Sequence, residues 1–181
     1  KDAMMMNTNE VPGSNGYFAS GIGALLMYDT RNNVLNATSG SYAEILFSMN
    51  DKLTLSHFNY TTLIVDLRKY ITFFDRYTLA FHSYGNFNSG TVPFRAMPVI
   101  GGARYLRGYY KGRYRDNNLI VFQGETRIRL FWRIGITAFA GIGQVADKAQ
   151  HFDSNTFKYN YGAGIRYKLN KKENINLRLD M

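Results

Sequence analysis

The stretch FKYNYGAGIRYKL (157–169) alternates without a break. Phe157, Tyr159, Tyr161, Ala163, Ile165, Tyr167 and Leu169 fall on one side, and Lys158, Asn160, Gly162, Gly164, Arg166 and Lys168 on the other. Period two is the mark of a strand, because successive side chains point to opposite faces. The pattern recurs in NLIVFQGETRIRLFW (118–132), where Ile120, Phe122, Ile128, Leu130 and Trp132 oppose Gln123, Glu125, Arg127 and Arg129. It recurs in INLRLDM, with Ile175, Leu177, Leu179 and Met181 opposite Asn176, Arg178 and Asp180. In LIVDLRKYITF, Leu63, Val65, Leu67, Ile71 and Phe73 oppose Ile64, Asp66, Arg68, Tyr70 and Thr72. Lys69 interrupts that apolar face and is read as a snorkelling residue near a strand end.

The alternation predicts strands at about 16–29, 41–51, 58–73, 76–87, 117–132, 133–146, 157–169 and 174–181. Several are too long for an ordinary soluble sheet, whose strands run to about 5–6 residues. A tilted strand needs about 9–11 residues to cross a bilayer, plus overhang. Charged inner faces are prohibitive for the core of a β-sandwich. Aromatics bound the apolar faces, as at the two interfaces of a membrane barrel: Tyr159 and Tyr167 on one strand, Phe122 and Trp132 on another.

Connections alternate in length. FDR (74–76), WR (132–133) and NKKEN (170–174) are short, with RNNVLNATSG the one long member on that side. Residues 52–57, 88–116 and 147–156 form the other, longer set. Short turns on the periplasmic side and long loops outside the cell fit an outer-membrane barrel.

Composition agrees. Charged residues make up 19% and aromatics 15%, with 17 glycines, which favours a barrel or a sandwich over helices. There are no cysteines, so disulfide frameworks and cysteine metal sites are excluded. KDAMMMNTNE has no apolar core, so no signal peptide is expected in this stretch. No run reaches about 18 apolar residues, so no membrane helix is expected either. A net charge of +9 fits nucleic acid, anionic lipid or a basic channel. Strand parity places much of that charge on inner faces, so nucleic acid is set aside.

The motifs then resemble a family. YDTRNNVLNATSGSYAEI (28–45) is similar to the strand-turn-strand signature of the BamA/TamA superfamily of outer-membrane barrels (the bacterial surface antigen family). GGARYLRGY (101–109) resembles that superfamily's loop motif, an apolar-Arg-Gly-aromatic tetrad, here Leu106, Arg107, Gly108 and Tyr109. QGETRIRL, FAGIGQV and GAGIRYKL follow in the family's order. The resemblance implies an all-β, antiparallel transmembrane barrel in a Gram-negative outer membrane. About eight strands lie in this stretch, read as the C-terminal portion of a barrel of roughly twelve to sixteen. Residues 1–15 are read as an N-terminal segment or the end of a preceding loop. Residues 16–181 are read as barrel, with 88–116 an inward-folding extracellular plug.

In such proteins the loop arginine docks on the inner wall. The residues permit that independently: a buried arginine needs a carboxylate, and Glu125 has inward parity on the next strand. Gly141, Gly143, Gly162 and Gly164 share inward parity and are expected to form a groove for the loop backbone. Two departures stand out. Gly141 occupies the place where the family carries an aspartate, which leaves Arg107 to lean on Glu125 alone. The chain also stops at NLRLDM, without the family's further strand.

The implied function is insertion or translocation of proteins across the outer membrane. Outer-membrane lipid, client proteins and other subunits of a membrane complex are the expected partners. No catalysis, cofactor or metal is expected. The alternatives are a passive solute pore and the barrel domain of a fused outer-membrane lipase. Ser48, Asp66 and His82 are all inward by parity, but their scatter carries no triad spacing. His57 and His151 fall in loops, and no ligand cluster suggests a metal.

Overall fold

The computed structural model describes residues 11–170 and 175–181. Residues 1–10, and most of the predicted turn at 170–174, lie outside them. Eight strands form one antiparallel sheet in the order β1-β2-β3-β4-β7-β8-β9-β10. They are β1 Gly21–Asp29, β2 Gly40–Asn50, β3 Tyr60–Phe73, β4 Tyr77–Gly90, β7 Asn118–Phe131, β8 Ile134–Ala146, β9 Lys158–Asn170 and β10 Ile175–Asp180. Between β4 and β7 a small hairpin, β5 Val99–Ile100 with β6 Tyr114–Arg115, forms its own two-stranded sheet. The sheet has two edges, β1 and β10. Among the described residues no helix is long and apolar enough to cross a membrane, which says nothing of crossing by strands.

Two boundaries and one face differ from the sequence reading. The first strand begins at Gly21 rather than 16, because Gly13 (φ 77°) and Gly16 (φ 96°) turn the chain just before it. β4 runs to Gly90, so the long connection is 91–117. Asn88 explains the extension: it accepts a hydrogen bond from Thr62 on β3 and donates to the Asn117 carbonyl. The inner face of β7 is also not wholly polar. Leu119 and Val121 share the parity of Gln123 and Glu125 and are fully buried. With Tyr84, Ile100 and Leu106 they form the buried apolar cluster. The core therefore lies between the wall and the long loop.

The outer face is apolar and exposed, including Phe47, Phe81, Phe122, Ile165 and Leu177. By register the inner face carries Asp66, Glu125, Arg127, Arg166 and Asp180. β3, β4 and β7 have 14 residues each, roughly 46 Å of chain. This is an antiparallel transmembrane barrel wall with a loop folded against its inner face.

Cost should follow face. An arginine at Ile165 or Phe122 meets lipid and should destabilise by about 2–4 kcal/mol near the midplane. Ser48→Arg, on the inner face, should cost less than about 1 kcal/mol. Denaturant unfolding in bilayers measures both, and equal costs would reverse the assigned parity.

Candidate functional site

Residues 91–117 cross the inner face of β3, β4, β7, β8 and β9. Their tip is Arg104–Tyr109. Leu106 is fully buried and has φ 57°, a left-handed conformation that a branched side chain adopts only when its surroundings impose it. Gly143 provides the space for that side chain, since a Cβ there would collide with Leu106 Cδ1. Gly108 (φ 98°) then turns the chain back.

The tip's backbone is held by two amide side chains of the wall. Leu106 N donates to Gln123 Oε1 at 3.3 Å, and Gln123 Nε2 donates to the Arg104 carbonyl at 3.0 Å. Asn160 Nδ2 donates to the Arg107 carbonyl at 2.9 Å. Gly141 lies between them: a Cβ there would meet Asn160 Oδ1 and Gln123 Cγ. The position that lacks the family's acid is thus the space into which both amides reach.

Arg107 is the centre of an ion network. It donates to Glu125 and, at 2.8 Å, to Asp180 Oδ2. Its guanidinium lies 4.0 Å from the centroid of Phe139. Arg127 Nε reaches Glu125 at 2.6 Å, and Arg166 binds Asp180 and lies 3.8 Å from Glu125. Arg107 therefore does not lean on Glu125 alone. Asp180, on the edge strand β10, is the second acid, and sequence reading missed it as a partner although its inward parity was visible. Gly164 makes room for Asp180, and Gly162 for the ring of Phe139. Of the four glycines, Gly143 meets the loop side chain, whereas the other three make room for wall side chains that hold the loop or pack beside it.

A second carboxylate, Asp66, anchors the other side of the tip. It is 1% exposed. Arg68 bonds both its oxygens at 2.6 and 2.8 Å, Arg104 reaches it at 3.2 Å, and His82 Nε2 lies 3.1 Å away. His82 Nδ1 faces Gln123 Nε2 at 3.2 Å. Tyr105 packs on Tyr84 with centroids 4.3 Å apart. Burial, then the neighbouring Tyr84 hydroxyl, push the Tyr105 phenol above its ordinary range. The Tyr109 hydroxyl donates to the Tyr159 carbonyl at 2.9 Å. Of the residues weighed as a triad, Asp66 and His82 meet, while Ser48 sits beside Thr62, four positions along the strand from the residue opposite Asp66. Among the described residues no group of three or more potential ligands could hold a metal.

The strand-turn-strand motif joins the same face. Arg31 pairs with Asp29 at 2.6 Å, and Asn32 bonds Thr38 and Ser39, closing the turn on itself. Arg127 then donates to Asn36 Oδ1 and the Ala37 carbonyl at 3.1 and 2.9 Å. Arg127 thus ties the turn to Glu125, and so to the loop.

Compared with known families, residues 6–171 match the model of the Omp85 superfamily domain. No curated protein sequence matches the chain. Among solved structures, the chain is similar to BamA from Haemophilus ducreyi lacking POTRA domains 1–3. The TM-score is 0.71 and the identity 15%, over 89% of this chain and 38% of that one. At that identity the likeness shows the fold. The chain spans well under half the length of that structure.

The network predicts an asymmetry. Arg107, Arg127 and Arg166 share Glu125 and Asp180, three positive charges on two negative. Arg107→Ala leaves Glu125 with two cations, so the loss should be about 1–3 kcal/mol. Glu125→Ala strips Arg127 of its acid and leaves Arg107 and Arg166 on Asp180, and should cost about 3–5 kcal/mol. A double-mutant cycle on thermal unfolding should show coupling; additive losses would remove the pairing. Gly143→Phe fills the space of Leu106 and should release the tip, read as new trypsin cleavage between Arg104 and Arg115. A protected loop would place the docking contact elsewhere.

Proposed function

The chain belongs to the Omp85 superfamily, and from that membership we propose that it forms part of a Gram-negative outer-membrane barrel that inserts or translocates proteins. Barrels of this family act in the outer membrane in protein insertion and transport. The observation that carries the reading for this chain is the docked loop. A basic connection of twenty-seven residues (91–117) is drawn onto the inner wall. It spans strands β3 to β10 through Asp66, Glu125 and Asp180. Such a brace stiffens the wall from β3 through β10. A barrel that must deform to pass a polypeptide needs a wall that keeps its shape apart from one weak line. In this mechanism the loop supplies that stiffness and no chemical step is involved. Outer-membrane lipid, unfolded client barrels and other subunits of a complex are the proposed partners. In this reading 91–117 and 147–157 face the cell exterior, and the turns at 74–76 and 132–133 face the periplasm.

Two measurements test the reading. Cysteines placed at Gln150 and Asp75 and labelled on intact cells should react at 150 and stay silent at 75; the reverse would invert the barrel. The full-length protein in liposomes should speed the folding of a urea-denatured outer-membrane barrel, and Glu125→Ala should weaken that effect. Client folding no faster than in empty liposomes would refute the insertion role. Ion conductance without any effect on folding would favour the passive pore.

A further inference from the structure

Among the described barrel strands the outer face carries a single charge. Register places Asp29, Glu44, Asp66, Arg68, Glu125, Arg127, Arg129, Lys158, Arg166, Lys168, Arg178 and Asp180 on the inner face. Among the charged residues of the eight described barrel strands, only Lys69 points outward, between Leu67 and Ile71. Its ammonium donates to Ser41 Oγ at 2.9 Å. Ser41 keeps its hydroxyl hydrogen to offer elsewhere.

Lys69 stands at one end of an open depression of about 800 Å³ in the wall. One register row runs Ser41, Lys69, Phe81, Gly124, Ala140, Tyr161 across six strands. Ala43 and Ser83 on the adjacent row, with Gly124 and Ala140, make a floor of small residues. Phe81, Phe122 and Tyr161 rise beside it, all exposed. From Lys69 to Tyr161 is four interstrand steps, about 19 Å. That exceeds the ~15 Å of half a hydrocarbon core, so one acyl chain laid obliquely fills it. The strands on both sides of the depression belong to this chain, so its shape does not depend on another part of the barrel.

A cation facing lipid is costly unless it reaches a polar layer or meets an anion. Lys69 is four residues from the end of β3, about 13 Å along the strand. Ser41 is one residue from the start of β2. The pair therefore sits close to the interface at the short-turn side.

We propose that this site binds an anionic glycerophospholipid, its phosphate on Lys69 Nζ and Ser41 Oγ and one acyl chain over Gly124 and Ala140. This rests on the reading that the wall faces a membrane. The site is distinct from the docked loop, which occupies the opposite face.

Native mass spectrometry of the purified full-length protein tests it, with phosphatidylglycerol and phosphatidylcholine as probes. The protein should retain phosphatidylglycerol about tenfold over phosphatidylcholine, the factor of one charge-assisted hydrogen bond. Lys69→Met should lose that preference and Lys69→Arg should keep it. Ala140→Phe, which blocks the floor, should reduce retention of both lipids. Equal preference in Lys69→Met and the unaltered protein would overturn the site, as would retention of neither lipid. Quenching of Trp132 by lipids with brominated chains separates the two levels of the argument. Quenching in every variant supports a wall that faces lipid, whatever the fate of the preference. Its absence in the unaltered protein would overturn the membrane reading itself.

Discussion

An arginine folded into the interior of a barrel must find carboxylates, and nearly everything on the inner face of this wall follows from that requirement. Desolvating a guanidinium costs several kcal/mol, which only close, well-oriented anions offset. Arg107 is 16% exposed at its side chain, and its two acids are 11% and 15% exposed. Neither acid belongs to the loop. Glu125 comes from β7 and Asp180 from β10, with β9 between β8 and that edge. One loop side chain thus spans four strands of the wall. Arg127 and Arg166 bring further positive charge to the same acids, so the network is complete only with every member present. A wall without the loop would keep the acids paired but would expose Leu119, Val121 and Tyr84. A loop without the wall would have no fold, because its own hairpin has two residues per strand.

The loop also answers a packing problem. A sheet whose outer face is given to lipid has only its inner face for a core. Here that face is divided. Toward the long-loop end it is apolar and buried beneath Ile100 and Leu106. In the middle it is charged and held by hydrogen bonds. The apolar half drives the loop onto the wall, and the charged half sets its register. Leu106 is where the two meet: its side chain is buried at Gly143, and its backbone N–H binds Gln123.

Much of this was legible in the sequence. Period two identified all eight barrel strands, since one face is lipid-bound along the whole wall and tolerates few exceptions. Parity also put Glu125 and Gly143 inside. Three things were not legible, each for a physical reason. Leu119 and Val121 read as ordinary strand residues, because alternation shows two faces but not which inner residues a loop covers. Asp180 was visible as inward, but its pairing with Arg107 depends on β10 lying two strands beyond β8, a matter of register. The role of Gly141 was hidden because an absent side chain acts through its neighbours, here Gln123 and Asn160. The strand ends moved where side-chain hydrogen bonds, as at Asn88, carried the ladder past the end of the hydrophobic pattern.

The short turns give independent grounds for the membrane. β3 and β4 join through Phe74 and Asp75, with φ 49° and 53°, and the Arg76 N–H closes the turn on the Phe73 carbonyl. Two central residues with positive φ define a type I′ turn, where Asn and Gly are usual. Trp132, at the β7–β8 turn, has φ 52°. A bulky side chain in that conformation costs roughly 1–2 kcal/mol. Phe74 is 89% exposed and Trp132 74%, and Trp132 meets only the edge of Tyr167 and the Arg133 guanidinium, so most of each ring is left to the surroundings. In water both the backbone and the ring would be unfavourable. At a bilayer interface the ring gains what the backbone loses, since aromatics are favoured at that depth. Arg129 donates to the Asp75 carbonyl of the first turn, and Arg133, beside Trp132, to the Leu169 carbonyl, so a guanidinium is tied down at each turn. The two turns carry the same chemistry although they belong to different hairpins, because both end at one plane.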